Sequence, residues 1–383
     1  MATPKVAAIY FKPMADTAER ALAAKFKLAL LGFYAGETKA RIQTYVNDIR
    51  ARNPSIKLGT YVILNEYRDN ALTTDADYPL IQALNQNGWW ARNAQTGGKV
   101  QWTPAYNSWA TNPTAYTRAD ASGRRWPQVK AKFDTDHILG GVTGLDYIYI
   151  DQVNDAPWVA GDYMLSGSNQ AINNPTLGTA YRKGMASYFS SLRSLNAGKK
   201  LIVNAGSLAM PEFNQQAEGA FMECQIGKTW SIETWAGWAK TMERYRAEMA
   251  QTKAPHDVVY QTCGPSADPT LMRYGLASAM LHDGYFAFTV NNQSAPPVFD
   301  EYSARIGTPS EAPPTAATAS GIWLRRYTNG VVLVNPSKTA AATIDIGPGY
   351  KRLTGTQDPA TNNGAAARVI TLQPRRGLLL VKQ

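Results

Sequence analysis

Two acidic residues in this sequence stand where carboxylates can work as a pair. Residues 144–155 (GLDYIYIDQVND) hold a short apolar run, 145–150, that carries Asp146 near its start, stops on Asp151 and passes into a polar turn with Gln152, Asn154 and Asp155. A strand covered by helices on both faces has this composition, and its last residue emerges at the end of an α/β barrel where active sites assemble. Glu223 sits between Met222 and Cys224 in a second such run, residues 219–225 (GAFMECQ). If the two runs are the fourth and sixth strands of one barrel, both side chains reach the same mouth.

Cleaving a glycosidic bond takes one carboxylate as nucleophile or base and one carboxylic acid, with carboxyl groups roughly 5–5.5 Å apart for retention and ~6.5–9.5 Å for inversion. The acid has to keep its proton near neutral pH, which burial or a nearby negative charge achieves. Glu223, in an apolar strand, suits the acid/base. Asp151, followed by polar residues, suits the group that stays ionised. The expected roles are therefore Asp151 as nucleophile and Glu223 as general acid/base, with retention favoured. The competing structural reading makes Asp151 a loop cap and Glu223 one half of an ion pair with a barrel arginine.

The elements that must position them can be followed along the chain. Residues 6–11 (VAAIYF), 28–34 (LALLGFY), 56–64 (IKLGTYVIL), 145–150, 200–204 (KLIVN), 219–225, 257–263 (DVVYQTC) and 284–290 (GYFAFTV) read as strands. Helical spacing of apolar residues lies between most of them, as in residues 37–52 with Ile42, Tyr45, Val46 and Ile49. Eight strands alternating with helices predict an α/β fold, a (β/α)8 TIM barrel. An open doubly wound sheet would bring a Gly-rich phosphate turn after the first strand, and FKPMAD is not one. Residues 1–309 are thus expected to form a catalytic barrel, with an aromatic-rich insert at about 65–135 that is far longer than an ordinary crossover. Residues 310–320 (SEAPPTAATAS, with Gly321 after them) read as a linker, and residues 321–383 as a small C-terminal antiparallel β domain, β-sandwich-like, with strands at 321–327, 330–335, 341–346 and 367–381.

The insert carries Tyr67, Tyr78, Trp89, Trp90, Trp102, Tyr106, Trp109, Tyr116 and Trp126. About half of these rings are expected to form a local mini-core. Trp102 and Tyr106, among polar residues, are the candidates for stacking on sugar rings. Other strand-end residues expected at the mouth are Tyr10, Tyr34, Glu66, Gln152, Asn204, Gln261 and Asn291, with Glu66 the rival carboxylate.

Composition narrows the classes. The chain has 383 residues, 44% hydrophobic and 18% charged, and a net charge of +10. That is a globular composition, and no apolar run approaches the ~18–20 residues that cross a bilayer. Basic residues are scattered and no nucleic-acid motif is present, so no nucleic-acid or membrane partner is expected, and protein partners are unknown. The two cysteines, Cys224 and Cys263, allow one disulfide or none; both fall near the ends of proposed neighbouring strands, yet two buried free thiols are the expected state. Three dispersed histidines supply no metal cluster, so neither metal nor cofactor is expected. The N-terminal MATPKVAAIYFKPM lacks the parts of a signal peptide and runs straight into a strand. An extracellular or virion-associated location, as for a phage depolymerase, is the expectation, with a cytoplasmic one as the alternative.

The segments IYIDQVND, FMECQIG, FDEYSARIGTP and WLRRYTNGVVLVNPS resemble a hypothetical TIM-barrel glycosyl hydrolase family related to the endo-α-1,4-polygalactosaminidase type. The resemblance runs over nearly the whole chain on short motifs. It implies a strand-4 Asp as nucleophile and a strand-6 Glu as acid/base, positions that Asp151 and Glu223 match. The DxxDxDxE signature of chitinase-type enzymes is missing, which argues against substrate-assisted chemistry. The expected function is endo-acting hydrolysis of a bacterial cell-wall, capsular or exopolysaccharide. The rival is a non-catalytic carbohydrate-binding protein on the same scaffold.

Overall fold

Each of the eight apolar runs becomes a strand of one parallel sheet. The computed structural model describes residues 1–32, 34–103, 107–206, 210–291 and 295–383. The strands are Ala7–Tyr10, Leu28–Leu31, Lys57–Ile63, Tyr147–Asp151, Lys200–Val203, Gly219–Ile226, Val259–Gly264 and Tyr285–Val290, and they pair in that order. A parallel bridge between Val6 and Phe286 joins the last strand to the first, so the sheet is a nearly closed barrel. Closure leaves no exposed edge, and helices cover the outer faces, which is why these strands are apolar on both sides.

Period-2 alternation divides each strand between two cores. Ala7, Ile9, Leu28, Leu30, Tyr61, Tyr147, Tyr149, Ile202, Phe221, Val259, Tyr285 and Ala287 fill the barrel interior as one cluster. Their neighbours face the helices on the other side, Ala8, Tyr10, Ala29, Leu31, Leu58, Met222, Tyr260 and Phe286 in one cluster and Val62, Ile148, Ile150, Leu201 and Val203 in a second. At the N-terminal end of the barrel the interior is closed by Asp257, which accepts a hydrogen bond from the Tyr147 hydroxyl and pairs with Lys57 at 3.1 Å.

The insert between the third and fourth strands is more structured than its sequence suggests. It contains a helix, Tyr78–Asn87, and a three-stranded antiparallel sheet of Glu66–Tyr67, Gln101–Thr103 and Ser108–Ala110. Trp89, Trp90 and Trp126 are fully buried there, with Tyr67 beside them, as the mini-core expectation required.

Beyond the barrel, Trp323–Tyr327, Gly330–Asn335, Ala342–Arg352, Ala366–Leu372 and Arg376–Lys382 form a five-stranded antiparallel sheet. The run expected as one strand at 367–381 is two. The chain turns at Pro374 and at Arg375, whose φ is +53°, and Pro374 was the visible signal. The helix Pro269–Met280 is buried on nearly every side because the barrel and this sheet share it. A Cβ on Gly377 would sit 2.4 Å from the Arg273 carbonyl oxygen, so the close approach of sheet to helix requires glycine there. Arg273 ties the layers together, donating to Glu301 at 2.9 Å and pairing with Asp358.

Candidate active site

Asp151 is the last residue of its strand and has the same parity as Tyr147 and Tyr149, so its carboxylate points into the barrel mouth. Four donors converge on it. The Tyr61 hydroxyl donates to Oδ2 at 2.7 Å; the Gln152 N–H at 2.9 Å, the Asn204 amide at 2.7 Å and the Tyr149 hydroxyl at 3.3 Å donate to Oδ1. Gln152 holds a left-handed backbone with φ +49°, an uncommon conformation for a residue with a side chain. From there its Nε2 donates to Glu66 at 3.2 Å, and its carbonyl accepts from the Asn65 side chain.

Glu223 reaches the same mouth through an irregularity in its strand. Met222 pairs with Tyr260 and Ile226 with Thr262, so Glu223, Cys224 and Gln225 together face the single residue Gln261. Such a bulge bends the strand and re-aims a side chain. Cys224, within it, has φ +38°. Two attachments hold it: its N–H donates to Gln261 Oε1 at 3.0 Å, and its sulfur is bonded to Cys263 on the next strand, with Cα atoms 5.1 Å apart. The expected free thiols are therefore corrected to a disulfide, and the physical reason is register. Cys224 stands opposite Gln261 within the bulge, and its left-handed backbone turns it toward Cys263, two residues further along the neighbouring strand, a contact that strand counting does not reveal. Just after it, a Cβ on Gly227 (φ +102°) would fall 1.8 Å from the Cys263 carbonyl oxygen, so the chain can leave the bulge only through glycine.

One residue joins the two carboxyls. Asn204, at the end of the intervening strand, accepts from the Gly206 N–H at 2.8 Å through Oδ1, which turns Nδ2 toward the acids. Nδ2 donates to Asp151 Oδ1 at 2.7 Å and to Glu223 Oε2 at 3.0 Å. Those two oxygens therefore lie at most about 6 Å apart.

Burial raises both carboxyls above their ordinary values. For Asp151 the hydrogen bonds from Tyr61, Gln152, Asn204 and Tyr149 oppose that rise. For Glu223 the negative charge of Asp151 adds to it, while Asn204, Lys228 and Arg244 oppose it. The proton of the pair therefore favours Glu223, which among the described residues accepts from one amide where Asp151 accepts from four donors. Burial also pushes Glu66 up to about 7, against hydrogen bonds from Ser108 and Gln152.

A cleft of about 2020 Å³ opens over these groups. Tyr34, Glu66, Trp102, Gln152, Asn204, Gln261 and Asn291 all line it together with Asp151 and Glu223. Gln261 donates to Thr289 at 2.7 Å, and Asn291 accepts from Lys228. Tyr10 is placed elsewhere: it has outward parity, belongs to the core beneath the helices and is not among the cleft-lining residues, whereas the next residue, Phe11, is. Tyr106 lies outside the described residues. Sequence reasoning missed Tyr61 and Tyr149, whose inward parity relative to Asp151 would have marked them. It also missed Trp158 and Trp230 in the loops just past the carboxylates.

Neither a family model nor a curated protein matches the chain. Solved structures do. An α-amylase from Lactobacillus plantarum is similar at a TM-score of 0.52 and 9% identity, over 99% of this chain and 98% of that one. The glycoside hydrolase domain of PelA from Pseudomonas aeruginosa is similar at 0.46 and 16%, over 75% of this chain and 95% of that one. Eubacterium rectale Amy13B is similar at 0.49 and 10%, over 98% and 94%. The likeness to the Lactobacillus plantarum protein is one of fold.

Proposed function

We propose that this protein is a retaining glycoside hydrolase that cuts a polysaccharide internally. The observation that carries the reading is the sharing of the Asn204 amide by Asp151 and Glu223 in the floor of a large open cleft. Support also comes from the fold, read as a (β/α)8 barrel like that of the α-amylase.

In this reading an Asp151 oxygen attacks the anomeric carbon while Glu223 passes its proton to the departing glycosidic oxygen. A glycosyl ester on Asp151 and a free sugar end result. Glu223, now a carboxylate, takes a proton from water, and that oxygen displaces Asp151 from the anomeric carbon, restoring both groups. The four donors on Asp151 favour its ionised form for attack, and burial together with the Asp151 charge favours the protonated form of Glu223. Tyr34, Glu66, Trp102, Gln152, Gln261 and Asn291 bind the sugar in this scheme, and Asn204 positions the pair. Residues 1–309 act as the catalytic unit and 321–383 as a supporting β domain. The buried disulfide favours an oxidising, extracellular setting.

The test is sugar release from a panel of bacterial cell-wall, capsular and exopolysaccharides by the wild type, Asp151→Asn and Glu223→Gln. Loss of activity by ~10³ or more in both variants, with product of retained anomeric configuration, is the expected result. Activity that survives both substitutions sinks this assignment. Binding of one polymer without cleavage by the wild type favours the carbohydrate-binding scaffold instead.

A further inference from the structure

Ten tryptophans occur in the chain, and the three exposed ones are Trp158 and Trp230, on two loops, and Trp235, at the end of the short helix Ile232–Trp235 that follows the second loop. Those loops are the ones that follow the strands of Asp151 and Glu223. Trp158 and Trp230 each come seven residues after their carboxylate, and both line the cleft. Trp158 is 58% and Trp230 44% exposed, while Trp89, Trp90, Trp126 and Trp238 are buried. Large rings are seldom left in water, and ones grouped around a cleft mark a binding surface.

Both rings are held on ordered supports. Trp158 packs against Trp102, a strand residue of the insert, with ring centroids 6.0 Å apart. Its loop is further tied by the Tyr163 hydroxyl, which donates to the Val159 carbonyl at 3.2 Å. Trp230 precedes Ser231, whose hydroxyl accepts from the Lys228 N–H at 2.9 Å and donates to the Cys224 carbonyl. The Trp235 indole N–H donates to the Trp230 carbonyl at 3.2 Å. Surfaces fixed in advance bind without the cost of ordering them.

We propose that Trp158 and Trp230 are two sugar-stacking platforms, on either side of Asn204, that seat an internal stretch of a pyranose polymer across Asp151 and Glu223. This rests on the glycosidase reading for its placement of the cut. The electron-rich face of an aromatic ring attracts the C–H face of a pyranose, a contact that needs no charge on the ligand. The barrel order sets the two rings apart: Trp158 follows the fourth strand and Trp230 the sixth, with the Asn204 strand between them. A volume of about 2020 Å³ is roughly twice the upper size of a pocket for a drug-sized ligand and holds several linked sugars.

The test measures binding of four defined hexasaccharides, the hexamers of α-1,4-glucose, β-1,4-glucose, β-1,4-N-acetylglucosamine and β-1,4-glucosamine, by calorimetry. Wild type is compared with Trp158→Ala, Trp230→Ala and the matching Phe variants. For at least one hexamer, each Ala substitution should weaken binding about tenfold, the scale of losing one aromatic stack, and each Phe variant should recover most of it. The disaccharide of the same sugar should respond to at most one of the two substitutions. The idea is overturned if no hexamer binds wild type, or if binding is unchanged in both Ala variants. The two readings fail separately. Cleavage that ignores both tryptophans leaves the hydrolase and removes the platforms; binding that needs both but never leads to cleavage removes the hydrolase and keeps the platforms.

Discussion

Asp151 and Glu223 accept hydrogen bonds from the same nitrogen, the Asn204 amide, at 2.7 and 3.0 Å. A single donor placed between two buried acids offsets part of their mutual repulsion and fixes their spacing at once. Removing it therefore affects charge and geometry together. Asn204→Ala is expected to raise the apparent pKa values of both acids, because each loses a bond that favours its ionised form. The acid limb of the pH–rate profile should move to higher pH, and the maximal rate should fall by about 10². A profile unchanged in shape and merely lower would assign Asn204 a packing role alone.

The hydroxyls on Asp151 are unequal. Tyr61 is at 2.7 Å and Tyr149 at 3.3 Å from a carboxylate oxygen, so the Tyr61 bond is the stronger. Tyr61→Phe should cost about 1.5–3 kcal/mol of transition-state stabilisation, the value of a hydrogen bond to a charged group, and Tyr149→Phe distinctly less. Comparing kcat/KM for the two variants on the cleaved polymer checks the order; the reverse order would place the nucleophilic oxygen elsewhere.

Glu66 titrates near neutrality, and its effect on stability has a definite sign. Its folded pKa, about 7, lies above the ordinary 4.5, so the folded state binds an extra proton between those values. Stability is then fully present below about pH 4.5 and falls as pH rises through about 7. Glu66→Gln should raise the unfolding free energy at pH 8 by up to about 3 kcal/mol, the equivalent of that shift, and change little at pH 4. Urea denaturation at the two pH values tests this, and an equal gain at both would point to packing rather than charge.

The bond between Cys224 and Cys263 closes a segment with a sequence separation of 39. A loop of that length predicts a contribution of about 4 kcal/mol on the chain-entropy account, within the usual ~2–4 kcal/mol. The Cys224→Ser, Cys263→Ser variant should lose about that much stability. Because the bond also holds the bulge that aims Glu223, kcat should fall while KM stays within about twofold. Thermal melting and steady-state kinetics on the same preparation separate the two effects. Lost stability with unchanged kcat would leave the Gln261 bond to Cys224 as the sufficient clamp.

Much of the barrel was legible because burial on both faces leaves a direct mark on composition. The runs at 145–150 and 219–225 are apolar whether or not anything else is known, and a carboxylate near the end of each marks the mouth. Local composition also suggested unlike surroundings for the two carboxyls, since Glu223 lies between Met222 and Cys224 and Asp151 precedes Gln152. The helix Tyr78–Asn87 and the small sheet of the insert left no equally plain mark, because short elements rest on packing against their neighbours rather than on pattern.

Tertiary structure decided what depends on register and parity between strands distant in sequence. Tyr10 and Asp151 both stand at strand ends, yet one faces the helices and the other the mouth, because a single residue of phase reverses the side. Tyr61 and Asn204 came to Asp151 from the two flanking strands, 90 and 53 residues away in sequence. The pairing of Cys224 with Cys263 waited on a bulge that only the register shift reveals. By itself the sequence determined which residues were buried and which carried charge, since both follow from local composition. Which of those charges meet, and at what distance, was decided by closing the sheet on itself.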